Sequence, residues 1–165
     1  MSTKIIKIAH IHVWDQNNKG DLAIVLAVQE LLRSTFARVE IIDYPVEVLK
    51  KYDGSILKQL NSADFIVMGG GGLFYRYFLP FSLEVIAGLQ KPFIIFGVGY
   101  IREVGAPALK RNERDSIIAL ANHAALLGVR ENYTKRFLIK HGVPAEKIQV
   151  IGDPALLLSE TKGGR

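Results

Sequence analysis

The chain has 165 residues, 49% of them hydrophobic, which suits one globular domain with a substantial core. Its formal charge is +5, a modest basicity that fits anionic small substrates or an anionic surface as easily as nucleic acid; with no long Lys/Arg run and no aromatic-basic RNA motif, no nucleic-acid partner is expected. Cysteine is absent, which excludes disulfides, thiolate catalysis and cysteine-ligated metal. No apolar stretch reaches the length of a membrane span, and the first residues lack the layout of a signal peptide.

In chain order, Lys4 to Val13 is β-branched and apolar and predicts the first strand. A polar loop, Trp14 to Lys19, precedes a helix opened by Asp21, with Ile24, Ala27, Val28, Leu31 and Thr35 at helical spacing. Val39 to Asp43 predicts strand two, and a helix follows from Pro45 to about Leu60. Ala63 to Met68 predicts strand three, running into Gly69-Gly70-Gly71-Gly72. Four successive glycines after a strand predict a turn in which backbone N–H groups can receive an anion, or a tight turn that packs helix on sheet. A loop is expected from Leu73 to Leu79 and a helix from Pro80. Strand four is expected over Pro92 to Phe96, a glycine-bearing loop over Gly97 to Gly105, and a helix over Ala108 to Asn122. Strand five is expected over Ala125 to Val129, a helix over Asn132 to His141, and strand six over Lys147 to Ile151. The alternation predicts an α/β fold with a doubly wound, mainly parallel sheet of about six strands. The domain is expected to span residues 1–158, with 159–165 a frayed tail or cut linker.

Five turns carry glycine or charge: Asn18 to Asp21, the four glycines, Gly97 to Tyr100, Val129 to Glu131, and Gly152 to Ala155. Each follows the carboxyl end of an expected strand, the rim where open α/β sheets bind ligands. Several familiar chemistries fail on inspection. The GVGYIREVG stretch has Arg102 where a dinucleotide fingerprint needs its third glycine, and it follows the fourth strand rather than the first. The glycine run lacks the Lys-Ser/Thr of a P-loop, and no serine sits in a nucleophile elbow. His10 and His12 share one side of strand one, but no third ligand is evident, so they read as core or rim histidines and no metal is assigned. Arg130 is placed either to grip a carboxylate or phosphate bidentately or to pair with a neighbouring acid. Phe74, Tyr75, Tyr77, Phe78 and Phe81 could stack on a ligand, though such a cluster is more often core or an interface with another domain.

Together these segments resemble the polysaccharide pyruvyl transferase family. The resemblance rests on N-x-G-D-x-A-I at Asn18 to Ile24 and on the A-D to G-G-G-x-L segment from Ala63 to Leu73. It extends through K-P-x-I-x-F-G-V-G at Lys91 to Gly99, V-R at Val129-Arg130, and G-D-P-A at Gly152 to Ala155. It implies the Rossmann-like half of a two-domain, glycosyltransferase-B-like architecture. The implied reaction transfers the enolpyruvyl part of phosphoenolpyruvate to a sugar hydroxyl pair, giving a pyruvate ketal on a cell-surface polysaccharide or its precursor. Phosphoenolpyruvate is then a donor substrate, and no cofactor is expected. The implied substrate-binding residues are Asn18, Gly20, Asp21, Gly70, Gly71, Gly72, Gly97, Gly99, Arg130 and Asp153, with Arg130 on the phosphoenolpyruvate anion. Where the family often carries an acid after the glycines, this chain has Tyr75-Arg76. The family's acid/base histidine belongs to a second domain, so no catalytic residue is assigned.

A cytoplasmic location, or one at the inner face of the membrane, is expected, and the resemblance implies a carboxyl-terminal partner domain, in whose absence the aromatic run Phe74 to Phe81 is expected to allow self-association. Two other readings compete: half of a sugar-nucleotide glycosyltransferase, and a non-catalytic α/β binding module.

Overall fold

A computed structural model describes residues 4–13, 15 and 17–158; the expected tail at 159–165 lies outside the described residues. Six strands form a single sheet: β1 (Ile6–His12), β2 (Val39–Pro45), β3 (Phe65–Tyr75), β4 (Phe93–Ile101), β5 (Leu126–Val129) and β6 (Ile148–Val150). Their order is β2-β1-β3-β4-β5-β6, and every pair is parallel. The helices are α1 (Lys19–Thr35), α2 (Gly54–Leu60), α3 (Leu83–Gly88), α4 (Arg111–His123) and α5 (Asn132–Lys140).

The two sheet faces are unequal. One packs against α1 through Ile8, Val28 and Val67, with Ile6, Leu32 and Phe65 at the margin. The other carries the main core, where Ala9, Ile11, Ile66, Met68 and Ile95 meet Leu60 of α2, Val85 and Ile86 of α3, Ile117 and Leu120 of α4 and Leu138 of α5. The alternation along β1 and β3 sends successive side chains to these two cores. Strands buried on both faces read as continuous apolar runs, as FIVM and FIIF do here.

The largest departure from expectation lies at the glycines. They are not a turn: β3 runs through all four to Tyr75, and β4 runs through Gly97 and Gly99 to Ile101. The two stretches pair with each other, Gly69 opposite Phe96, Gly71 opposite Val98 and Phe74 opposite Tyr100. The expected loops at Leu73–Leu79 and Gly97–Gly105 therefore begin as strand, to Tyr75 and Ile101, because each segment supplies the hydrogen-bond partner the other needs. The ladder is irregular there, with register shifts between Gly71 and Phe74 and between Phe96 and Val98. Gly70 (φ 69°), Gly71 (φ 77°) and Gly97 (φ 68°) sit in the left-handed region, as bulges in a strand require.

Other boundaries moved for local reasons. Pro45 closes β2 instead of opening a helix. A 3₁₀ turn covers Val46–Leu49, and α2 starts at Gly54, where the Asp53 side chain accepts from the Ser55 and Ile56 N–H groups at 2.8 and 3.2 Å. Pro80 follows a cis peptide bond, and α3 begins at Leu83, capped by Ser82. The fourth helix starts at Arg111 rather than Ala108, where the Glu113 carboxylate accepts from the Lys110 N–H at 2.6 Å. Phe74 and Phe81 are buried and belong to the core, which leaves Tyr77 as the strongly exposed member of the aromatic run. No helix among the described residues is long and apolar enough to cross a membrane.

The bulges are packed as tightly as they are bent. A Cβ on Gly97 would lie 2.4 and 2.6 Å from Pro154 Cγ and Cδ, whereas one on Gly105, at φ 80°, would meet nothing within 4 Å. Gly97→Ala should therefore cost about 1–2 kcal/mol for its backbone and about 1–3 kcal/mol more for overpacking. Gly105→Ala should cost only the backbone part. Urea unfolding of both variants checks this; equal losses would show that the Pro154 contact contributes nothing.

Candidate functional site at the carboxyl rim

The strand order reverses between β1 and β3, since the chain leaves β1 toward β2 and returns to β3 on the other side. In open parallel sheets the crevice beyond the strand ends at such a reversal is the usual ligand site. The segments that meet near it are the start of α1, the bulges of β3 and β4, the end of β5 and the turn after β6.

The N-x-G-D motif builds the start of α1. Asn18 is the N-cap: its Oδ1 accepts from the Gly20 and Asp21 N–H groups at 3.1 and 3.3 Å, and its Nδ2 donates to Asp21 Oδ2 at 2.8 Å. This pairing holds the Asp21 carboxylate over the glycine run, where a Cβ on Gly71 would lie 3.6 Å from Asp21 Oδ1. Partial burial, assisted by the Asp15 carboxylate, raises the Asp21 pKa above the ordinary aspartate value, and Arg130 partly offsets the rise.

Arg130 follows β5 directly, and its N–H donates to the Val98 carbonyl of β4 at 3.0 Å. Its guanidinium lies against Gly99: a Cβ there would be 2.8 Å from an Arg130 terminal nitrogen. Glycine at 99 thus clears the path for the side chain. Arg130 Nε donates to Glu131 Oε2 at 2.8 Å, and Nη1 is 3.8 Å from Asp153 Oδ2. Both readings of Arg130 are therefore present in one geometry. It is an ion-paired arginine, and it is held, still partly exposed, at the rim. Glu131 is itself fixed by the Thr134 hydroxyl, which also accepts from the Tyr100 N–H at 2.7 Å.

The G-D-P-A turn completes the arrangement. Asp153 caps the 3₁₀ turn Pro154–Leu157 through Oδ1, which accepts from the Ala155 N–H at 2.9 Å, leaving Oδ2 toward Arg130. Pro154 is buried against the two bulges, with Gly97 and Gly70 beneath it, and Ile24 of α1 sits on Gly70 beside it. The structure thus brings together Asp21 with Gly71, Gly70 with Gly97 through Pro154, and Gly99 with Arg130 and Asp153. Gly72 stands apart, its space taken by Ile101. Tyr75 and Arg76 are also committed elsewhere. The Tyr75 hydroxyl bonds Glu103, and Arg76 donates to the Pro107 and Ala108 carbonyls at 3.0 and 2.7 Å.

Sequence reasoning missed Asp43. The β1–β2 register sets it opposite His10, and its Oδ1 lies 3.4 Å from His10 Nδ1 and 3.2 Å from His12 Nε2. Its one available signal was an acid closing a strand otherwise broken only by Glu40. Burial pushes the His10 pKa down. Burial alone would push Asp43 up, but the two histidines outweigh it and hold its carboxyl below the ordinary value.

No curated protein sequence matches the chain. Among solved structures it is similar to one titled as the crystal structure of Anabaena Alr3699/HepE in complex with UDP and glucose. The two share 12% identity over 90% of this chain, with a TM-score of 0.49, and the chain spans 44% of that structure's length. The sequence model of the polysaccharide pyruvyl transferase family matches residues 18–165, a stretch that contains the α1 start, both glycine strands, Arg130 and the Gly152–Ala155 turn. The chain belongs to the polysaccharide pyruvyl transferase family.

Proposed function

We propose that this chain forms the phosphoenolpyruvate-binding half of an enzyme that makes pyruvate ketals on a sugar of a cell-surface polysaccharide or its precursor. Family membership supports the reaction class, and one observation carries the assignment to this rim. The Arg130 guanidinium is fixed over Gly99 between two carboxylates, in a position to exchange either one for a substrate anion. Phosphoenolpyruvate carries a carboxylate and a phosphate, both matched by a planar fork of donors. No cofactor is needed. One sugar hydroxyl adds to C2 of the enol while C3 takes up a proton; the C2–O bond to phosphate breaks, and the second hydroxyl closes the ketal. Two hydroxyl protons are released, one balanced at C3 and the other taken by phosphate or a base, so the chemistry requires a general acid/base.

The charges at the rim define what this half lacks. One guanidinium faces Glu131, Asp153 and the nearby Asp21. A substrate bearing two anionic groups needs further cations, which a facing domain would supply while excluding water. In this reading the rim carboxylates also orient acceptor hydroxyls, and the partner domain supplies the acid/base. The setting is the cytoplasm or the inner membrane face, where activated sugar precursors and phosphoenolpyruvate are both accessible.

In the intact enzyme, Arg130→Ala should lower kcat/KM for phosphoenolpyruvate by about 2–4 kcal/mol, roughly 30- to 1,000-fold. Arg130→Lys should recover only part, because a point ammonium cannot replace the fork. Steady-state kinetics with varied phosphoenolpyruvate, alongside thermal midpoints of the variants, checks this. Unchanged kinetics in a folded Arg130→Ala enzyme would reduce Arg130 to a structural ion pair, and saturation by a nucleotide sugar in place of phosphoenolpyruvate would favour glycosyl transfer.

A second expectation concerns these 165 residues alone. They should unfold cooperatively, since the sheet and both cores are complete among the described residues. They should not transfer pyruvyl groups. Calorimetry and phosphate release with a pool of sugar acceptors provide the measurement, and robust turnover would mean that the rim already contains its acid/base group.

A further inference from the structure

Beyond the anion site at Arg130, we propose that His10, His12 and Asp43 form a binding site for a divalent transition-metal cation, best matched by Zn²⁺, at the carboxyl end of β1 and β2. His10 and His12 are two residues apart on one strand and so face the same side of the sheet, toward α1. The register places Asp43 beside them. Their ligating atoms all lie within 4.8 Å of one another. The separations of His12 Nε2 and His10 Nδ1 from Asp43 Oδ1, 3.2 and 3.4 Å, bracket the edge of about 3.3 Å expected for a tetrahedron with bonds of ~2.0–2.1 Å to nitrogen and oxygen.

Hydrogen bonding explains why a cation belongs there. His12 Nδ1 lies 2.7 Å from the Val13 carbonyl oxygen, which can only accept, so Nδ1 carries the proton. In the neutral ring, Nε2 then presents a lone pair to the Asp43 carboxylate 3.2 Å away. In that tautomer two acceptors face each other at contact distance, and a proton or a metal ion between them makes the contact favourable. His10 adds to the case. It is fully buried, and neither of its ring nitrogens has a hydrogen-bond partner; the 3.4 Å approach of Nδ1 to Asp43 lies outside hydrogen-bond geometry. Its Nε2 is wedged against Gly69, where a Cβ would lie 2.3 Å away, so Nδ1 is the nitrogen left to ligate.

The surroundings match those of metal sites. The Val13 carbonyl fixes the His12 tautomer, Gln29 Nε2 donates to Asp43 Oδ1 at 2.8 Å, and Arg33 in turn holds Gln29 Oε1 at 3.2 Å. His12 and Asp43 line a cavity of about 220 Å³ with Val13, Asp15, Leu22 and Gln29, so a fourth coordination position opens toward solvent. Two imidazoles, one carboxylate and an open position form a donor set that zinc accepts.

The test uses the metal-free chain and is independent of phosphoenolpyruvate. Titration with Zn²⁺ should show one-to-one binding and a rise in thermal midpoint, and Co²⁺ should give the intense visible bands of a tetrahedral site. Asp43→Asn and His12→Gln should each weaken binding at least tenfold, while His141→Gln should leave it unchanged. Absence of stoichiometric uptake, a weak octahedral Co²⁺ spectrum, or equal uptake by folded Asp43→Asn or His12→Gln variants would overturn the proposal. If either variant fails to fold, the Co²⁺ spectrum of the unaltered chain decides.

Discussion

The contact on which the rim depends is the seating of Ile24 and Pro154 on two adjacent strand bulges. Gly70 and Gly97 hold positive φ on neighbouring strands, and each has its would-be Cβ space filled, by Ile24 Cγ2 at 2.0 Å and Pro154 Cγ at 2.4 Å. This one junction anchors α1 and the turn after β6 to the middle of the sheet. The charged groups around Arg130 are attached to it. Asp21 lies one helical turn before Ile24, Asp153 precedes Pro154, and Arg130 lies over Gly99, two residues beyond Gly97. Interiors packed this closely respond to a single added methyl by shifting backbone, so a disturbance here would move charged groups as well as weaken the fold.

Much of the fold was legible because parallel strands buried on both faces announce themselves as apolar runs, and the α1 start because Asn18 and Asp21 have a local capping logic. The glycine segments were misread for a reason that is physical. A bulged strand and a phosphate-binding turn both require positive φ and missing side chains, and they differ in whether another segment pairs with the backbone. That partner, Gly97 to Ile101, lies more than twenty residues away and is itself glycine-bearing. The same limit hid Asp43, whose significance comes from the register with β1 rather than from its neighbours in the chain. Arg130 was legible as a residue of interest, but only tertiary contact shows that its two readings coexist.

The glycine motifs of this chain act mainly by admitting side chains. Gly69 admits His10, Gly70 admits Ile24, Gly97 admits Pro154 and Gly99 admits Arg130. A helix terminus with free N–H groups would have been a direct anion receptor, but here Asn18 occupies the first donors of α1. An anion bound at this rim would therefore be held by a side chain rather than by the backbone, and its binding would be sensitive to the identity of residue 130.

Two carboxylates on this rim show how neighbours decide charge. Both Asp21 and Asp43 are partly buried, and burial alone raises both pKa values. Asp21 stays raised because its second influence is another carboxylate, Asp15, only partly offset by Arg130. Asp43 ends lowered because two histidines surround it. On acidification Asp21 therefore takes up a proton before Asp43 does. The half of the rim near Arg130 can gain a hydrogen-bond donor, while the half near β2 keeps its negative charge. The rim is thus divided into two ends of different charge. Their separation is set by α1, whose first turn carries Asp21 and whose third carries Gln29, the residue bonded to Asp43.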